Sequence, residues 1–391
     1  MSSSTSPVTT SQTFRLGDIA EVTSGGSAPQ DPEDFGGDTP FVRVSHLSPV
    51  NFSISDCDYL TATAVSRHGL RLFPKGTIVF PKSGASIRLE KRAILPYEAC
   101  IASHLAAVLP NSELVDRDFL FYYLVNTPLA KDNADGYPTL RLGDIVQLSV
   151  QVPPLTEQRR IARILSTINR SLEATVKALE ACAIVKRSLV AKEFDLSSYS
   201  TVSFRDICDI LSVGIVVRPT QYYSNEGVIA LRSLNVREDE LDLTNSVRIT
   251  SEAHEGPVAK SALRPGDVVI VRTGYPGTSA VIPAEFPQVN CIDLVFARPG
   301  LSVRSEYLSR FLNSPSGREQ ALKAKTGLAQ QHLNVAAVGR TSLPLPPLDV
   351  QDQIVRRLRT IDRVLVGVRQ RKQVLEAVLS SAIEELIGTA A

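Results

Sequence analysis

No two cysteines of this chain stand at ligand spacing: Cys57, Cys100, Cys182, Cys208 and Cys291 are scattered, with no Cys-x-x-Cys and no histidines at matching intervals. That pattern excludes a disulfide framework and a zinc finger, and the five read as reduced, mostly buried thiols of a cytosolic protein. No apolar run approaches the ~18 residues needed to span a bilayer. Residues 1 to 12 are rich in Ser and Thr but lack the basic start and apolar centre of a signal peptide, so a disordered tail on a soluble, cytoplasmic protein is expected. Neither charge is in excess, with 42 basic against 41 acidic side chains, which argues against a disordered polyelectrolyte and gives no global basicity to announce nucleic acid. A Gly-rich phosphate loop, a Walker sequence, a metal-spaced His/Cys/Asp cluster, a Gly-x-Ser-x-Gly elbow and an Asn-Pro-Pro-Tyr run are all missing. Asn126-Thr127-Pro128 and Asn313-Ser314-Pro315 come nearest to the last and look like helix ends. No catalytic residue, metal or cofactor is expected.

What is present occurs twice. Pro153-Pro154-Leu155-Thr156-Glu157-Gln158 is followed by an amphipathic run, and Pro346-Pro347-Leu348-Asp349-Val350-Gln351 begins a second copy. Pro153 to Pro346, Gln158 to Gln351, Ile161 to Ile354 and Arg170 to Arg363 are all 193 apart, so the register is constant. A repeat of domain size excludes a solenoid, and 391 residues exceed what one core usually holds. Before each copy lies a stretch of short apolar runs broken by Gly, Pro and Asp, which suits strands and turns. Gly76–Phe80 and Leu105–Leu109 read as strands and Asp118–Val125 as a short helix. Weaker echoes keep the same order: Leu16–Ile19 with Phe204–Ile207, Phe41–Arg43 with Ala230–Arg232, and Pro74–Gly84 with Pro265–Gly274. One scaffold presenting two different surfaces is expected.

The proline pairs reverse the chain, and Thr156 and Asp349 are expected to cap the helices that follow, although Arg159 and Asp352 stand where a capping box needs Glu or Gln. The first helix carries Ile161, Leu165, Ile168, Leu172, Thr175, Leu179, Cys182, Lys186 and Leu189. The second carries Ile354, Leu358, Ile361, Leu365, Val368, Lys372, Leu375, Leu379 and Ala382. Both alternate steps of four and three, a coiled-coil seam. The alternative is that each helix packs only on its own globular domain. Equal length and identical register favour mutual, antiparallel pairing, with Lys186 and Lys372 in the seam fixing register or lifting their charges out. Residues 155 to 194 as one helix span about 60 Å at ~1.5 Å per residue. Such a rod serves as a ruler longer than one turn of B-DNA.

Two variable domains alternating with two Pro-Pro-Leu-x-x-Gln helices resemble the specificity subunit of type I restriction-modification systems, over nearly the whole chain from Phe14 to about Ile387. The run from Pro153 to Leu165 carries the resemblance; the second copy departs from it with Asp349-Val350 before Gln351. The resemblance implies an α+β architecture with a tail at 1–12, target-recognition domains at 13–152 and 196–344, and spacer helices at 153–195 and 345–388. It also implies a subunit without chemistry of its own, which brings two methyltransferase subunits, and optionally translocating nuclease subunits, to double-stranded DNA with a split target.

DNA recognition needs cations and hydrogen-bonding groups for position and paired donors or acceptors for sequence. Residues 67 to 92 hold seven basic side chains against the single acid Glu90, a candidate anion-binding face whose rival reading is a solvated surface run. Within it the loop after the strand supplies Lys82, Ser83, Ser86, Arg88, Lys91 and Arg92. Its counterpart supplies Arg272, Thr273, Tyr275 and Thr278. A second pair of sets is Arg43, Ser45 and His46 with Arg232, Ser233 and Asn235. A third is Tyr137–Arg141 with Leu328–His332, where Arg141, Gln330, Gln331 and His332 are candidates and the glutamine amides suit adenine. A protein-binding scaffold and an enzyme with an unrecognised site remain the rival readings.

Overall fold

The same order of short strands folds twice in the computed structural model, which describes residues 11–48, 52–54, 56–129, 140–195, 199–286, 288–323 and 333–388. In the first half one sheet runs Ala20–Ser24, Leu105–Pro110, Ile78–Pro81, Ala93–Ile94. A second runs Asp58–Leu60, Phe35–Val42, Ala99–Ile101, Leu72–Phe73, its middle pair parallel. The second half repeats the first sheet as Cys208–Val213, Leu294–Pro299, Val268–Val271, Ser279–Val281. It repeats the parallel pair as Val228–Leu231 beside Val289–Cys291.

Side-chain alternation sets the layers. Ile78 and Phe80 face a core shared with the helix Arg117–Asn126, whereas Val79 faces the second sheet with Phe73 and Ile101. In the other half Val268 and Ile270 face the helix Ser305–Asn313, and Val269 and Val271 face the second sheet. Strands buried on both faces read as continuous apolar runs, which is why 76–80 and 105–109 were visible in the sequence. Gly25 and Gly214 mark one close crossing in each half: a Cβ there would lie 2.1 Å from the carbonyl oxygen of Ile101 and 2.3 Å from that of Cys291. Only glycine fits such an approach.

The long helices are Leu155–Glu193 and Leu348–Ile387. The chain divides into two compact units, Met1–Ala178 with Val368–Ala391, and Leu179–Gly367. Both cuts fall inside the long helices, not at the borders expected near 153, 196 and 345, because each unit contains one end of each helix. In the first unit Ile161, Leu165 and Leu172 share a core with Leu379 and Ile383, flanked by Ile168 and Leu375. In the second, Leu189 and Phe194 pack with Ile354 and Leu358. The start of either helix therefore meets the end of the other, which is antiparallel pairing. Leu365 is buried, and Leu179 and Ile361 half-buried, along the same seam.

Polar pairs fix the match within the second unit. Lys186 lies 2.8 Å from Asp362, and Arg357 lies 2.6 Å from Glu193. Arg310, on the helix Ser305–Asn313 and only 8% exposed, reaches Asp362 at 2.8 Å and so ties the helix pair to the domain. Lys372 instead pairs along its own helix with Glu376, at 2.6 Å.

The shared Pro-Pro-Leu-x-x-Gln run joins helix to domain. Gln158 is 1% exposed; its Oε1 accepts from the backbone N–H of Asp116 at 2.7 Å, and its Nε2 donates to the carbonyls of Pro153 at 2.8 Å and Leu114 at 3.3 Å. Gln351, fully buried, repeats this with the N–H of Arg304 at 2.8 Å and the carbonyls of Pro346 at 2.8 Å and Ser302 at 3.0 Å. Asp116 and Arg304 are the residues that open the two domain helices. Each glutamine thereby locks the entry of a long helix to the helix of its own domain.

Two expectations are corrected. Helices begin at Leu155 and Leu348, so Thr156 and Asp349 lie inside the first turn; the carbonyls of Pro154 and Pro347 take the first helical bonds, from Gln158 and Gln351 at 3.0 Å. Gln12, expected at the end of a tail, pairs with Val152 in a two-stranded ladder and so belongs to the first domain; residues 1–10 lie outside the described residues. Replacing Gln158 with Leu should destabilise the protein by about 1–3 kcal/mol for each backbone group left buried and unpaired. Replacing its half-buried neighbour Glu157 with Ala, which breaks only the surface pair with Arg160, should cost less than about 1 kcal/mol. Denaturant unfolding of the two variants checks the difference, and equal effects would contradict the lock.

Candidate nucleic-acid interface

Three stretches far apart in sequence meet at the end of the same strand in each unit. In the first, the Lys82 backbone N–H donates to the carbonyl of His104 at 2.9 Å, and its carbonyl accepts from the N–H of Leu140 at 2.9 Å. Lys91 then reaches the Val44 carbonyl at 3.4 Å, which brings in the turn after Phe35–Val42. In the second, the Arg272 carbonyl accepts from the N–H of Leu333 at 3.1 Å. There the turn after Val228–Leu231 and the loop after Val268–Val271 line one cavity of about 480 Å³. In the first unit all three expected stretches meet around Lys82; in the second, two of them meet at the cavity, and the third, Leu328–His332, lies outside the described residues, with its neighbour Leu333 bonded to Arg272.

Local geometry explains which side chains reach out in the first unit. Gly84, at φ +81°, turns the chain into a 3-10 turn, Ala85–Leu89, pinned by the buried Ile87 and leaving Arg88 exposed. Lys82, Ser83, Ser86 and Lys91 are half-buried around it. Ser83 Oγ lies 2.6 Å from His104 Nδ1, and Ser86 Oγ donates to the Ser83 carbonyl at 3.2 Å. Arg141 is exposed at the start of the helix Leu142–Val146. Arg43 bonds Asp58 at 2.5 Å and lies over the rings of Phe35 and Phe41, while its backbone N–H donates to His46 Nδ1 at 3.0 Å.

Arg92 is placed otherwise than expected. It is 1% exposed, lies over the Phe80 ring, pairs with Glu90, and donates to the carbonyls of Lys91 at 3.0 Å and of Leu124 and Thr127 at 3.3 Å. Burial pushes its guanidinium below the ordinary value, against the opposing pull of Glu90. Glu90 takes the left-handed conformation, φ +47°, and accepts from the N–H of Leu129, so this arginine is an interior brace beside the helix Arg117–Asn126. A charge run in the sequence cannot separate such a brace from its exposed neighbours.

In the second unit the candidates divide similarly. Tyr275 is 81% exposed, whereas Thr278 is 6% exposed and closes the loop, its carbonyl accepting from Val271 N–H at 2.8 Å. Arg272 pairs with Asp293 and donates to the Leu333 carbonyl at 3.2 Å. Thr273 lines the cavity beside Tyr275. Arg232 donates to the Asn245 carbonyl at 2.7 Å, and Asn235, fully buried, accepts from the Arg232 N–H at 2.9 Å. Asn235 thus repeats the role of His46 and is structural. Gln330, Gln331 and His332 lie outside the described residues.

Sequence reasoning missed His104, which sits on a short turn between strands, and Leu234, Arg237 and Arg318, which line the cavity from three places. A polar-loop search passes over Leu234, and Arg318 belongs to a helix, Pro315–Lys323, beyond the sheet. Among the described residues, the two arginines that line the cavity are paired, Arg318 with Glu238 at 2.6 Å and Arg237 with Asp242 at 3.4 Å. Among the described residues no group of three or more His, Cys, Asp or Glu is placed to hold a metal ion, and no helix is long and apolar enough to cross a membrane.

Comparison with known proteins gives a concordant result. A family model described as the type I restriction modification DNA specificity domain matches residues 9–181 and 206–377. The EcoKI specificity subunit of Escherichia coli K12 is 23% identical over 355 residues, 82% of this chain and 75% of that one. The MjaIX specificity subunit of Methanocaldococcus jannaschii is 31% identical over 145 residues, 36% of this chain but only 33% of that relative. Among solved structures, the type I restriction-modification S subunit from M. genitalium aligns with a TM-score of 0.63 at 12% identity, covering 98% of this chain and 97% of that chain. A chain from a structural study of type I complex assembly and conformational transition aligns with a TM-score of 0.58 at 17% identity, over 97% of both. At such identities these alignments establish a shared fold.

The geometry separates two arginine-and-lysine variants that the sequence would group together. Arg92→Ala should lower stability by at least about 2 kcal/mol, since several charge-assisted bonds are lost from a buried site. Lys82→Ala should leave the unfolding midpoint nearly unchanged and weaken recognition of one half of a duplex target only. Thermal unfolding together with half-site binding tests both, and equal loss at both halves would show that Lys82 does not belong to one reading surface.

Proposed function

We propose, since this chain belongs to the family of type I restriction modification DNA specificity domains, that it reads a two-part DNA target, each unit taking one half. The carrying observation is the corner built twice from the same three segments, at Lys82 and at Arg272, on one scaffold but with different side chains. A repeated frame with unlike tips is what two unlike half-sites require, because base edges are told apart by the arrangement of donors, acceptors and methyl groups. In the first unit Lys82, Arg88, Lys91 and Arg141 supply the cations that phosphates need. In this reading Arg43, His46 and Arg232 shape the neighbouring turn.

The long helices set the gap between the half-sites and carry the partners. Both have a second column beside the seam: Ile164 and Val185 are three heptads apart, and Val364 and Val378 two, with Val374 one turn before Val378. These side chains are 36 to 61% exposed, and aliphatic positions at heptad spacing suit further helices. We assign that column to the methyltransferase subunits, two for the two copies of the motif, and with them the chemistry of methyl transfer. Nuclease subunits are an optional addition to the same complex, in the cytoplasm where the target lies.

Retention of a target duplex by the chain with its methyltransferase subunits should fall steeply between low and physiological salt as counterion release loses its drive. Absence of sequence-selective retention at any salt would favour a protein-binding scaffold. Inserting seven residues into each long helix should lengthen the unread gap and leave both half-sites unchanged. An unchanged gap would sink the ruler.

A further inference from the structure

The two units build one corner and fill it differently. In the first, Ile87, 3% exposed, plugs the loop and leaves a rim of cations. In the second, the loop between Val271 and Ser279 leaves the cavity of about 480 Å³ open, with Leu234 and Tyr275 at its edge, 42% and 81% exposed. Neither side chain gains by folding from standing in water, and the two come from different loops that both line this cavity. Among the described residues, the two arginines that line it are neutralised by partners, Arg318 by Glu238 and Arg237 by Asp242, and Arg272 at the strand end is paired with Asp293. A phosphate clamp needs uncompensated positive charge. A surface of apolar side chains, hydroxyls and paired charges suits base edges instead, and the apolar group that a major groove presents is the C5-methyl of thymine.

We propose that Leu234 and Tyr275 read a thymine by its methyl group in the half-site of the second unit. The inference rests on the DNA-reading function above and adds which base feature this unit takes. It also makes the two halves unlike in kind: the first reads through hydrogen bonds and cations, the second partly through an apolar contact. Tyr275 contributes its ring, so its hydroxyl is dispensable.

The test uses the full chain in complex with its methyltransferase subunits and a duplex that this complex selects from randomised sequence. The half-site of the second unit is the one that Lys82→Ala leaves unaffected. Each thymine in it is replaced in turn by uracil, which removes the methyl and nothing else. One replacement should weaken binding about fourfold, the worth of one buried methyl. That penalty should vanish in the Leu234→Ala, Tyr275→Ala double variant and persist in Tyr275→Phe. Retained discrimination at the other half-site shows that the variant is folded. A half-site without thymine overturns the inference, as does uracil tolerance at every position while scrambling the half-site still abolishes selective binding, or a uracil penalty that survives in the double variant. Indifference to scrambling overturns the DNA-reading function, and this inference with it.

Discussion

A buried carboxamide, used twice, holds the architecture in place. Gln158 and Gln351 each accept from the N–H that opens a domain helix and donate to two carbonyls, one of them from the proline pair that starts the long helix. Of the side chains of this length only glutamine does both at once without a charge: glutamate accepts only, and leucine does neither. The prolines complete the arrangement because they bring carbonyls to the site and no N–H that would itself need a partner. Leaving any of these groups unpaired inside a core costs more than the bond gains when made, so the motif tolerates little change.

With the helix entries fixed, the rest follows from packing. Each unit closes its core over the start of one long helix and the end of the other. The seam itself is ordinary Leu and Ile, and direction is enforced by pairs that a parallel match would separate, Lys186 with Asp362 and Glu193 with Arg357. Arg310 extends the second unit's pairing into its domain through Asp362. The free ends of the central strands, at Lys82 and Arg272, take no part in these locks. Loops there can change length and chemistry, as Ala85–Leu89 and the open Tyr275 loop already do, without disturbing the fold.

Much of this was legible because it is periodic or repeated. The seam showed in steps of four and three, the central strands in unbroken apolar runs, and the duplication in a constant offset. The purpose of the glutamine was not legible: its partners, Leu114 and Asp116 or Ser302 and Arg304, lie about 45 residues upstream and share no motif. The fate of single charges was hidden for the same reason. Arg88 and Arg92 sit four residues apart in one basic run, yet one faces water and the other braces a helix, a difference decided by the carbonyls of Leu124 and Thr127. Leu234 carries no polar signal at all, and only its exposure beside Tyr275 marks it.

If two equivalent locks present two interchangeable reading modules, a module should work in either position. The most direct measurement replaces residues 200–345 with a second copy of residues 12–152, keeping both long helices, and determines the duplex that the resulting complex selects from randomised sequence. The account predicts a target with two identical halves in inverted order, each matching the half lost in Lys82→Ala. Selection of the original unlike halves, or of a single half alone, would contradict it.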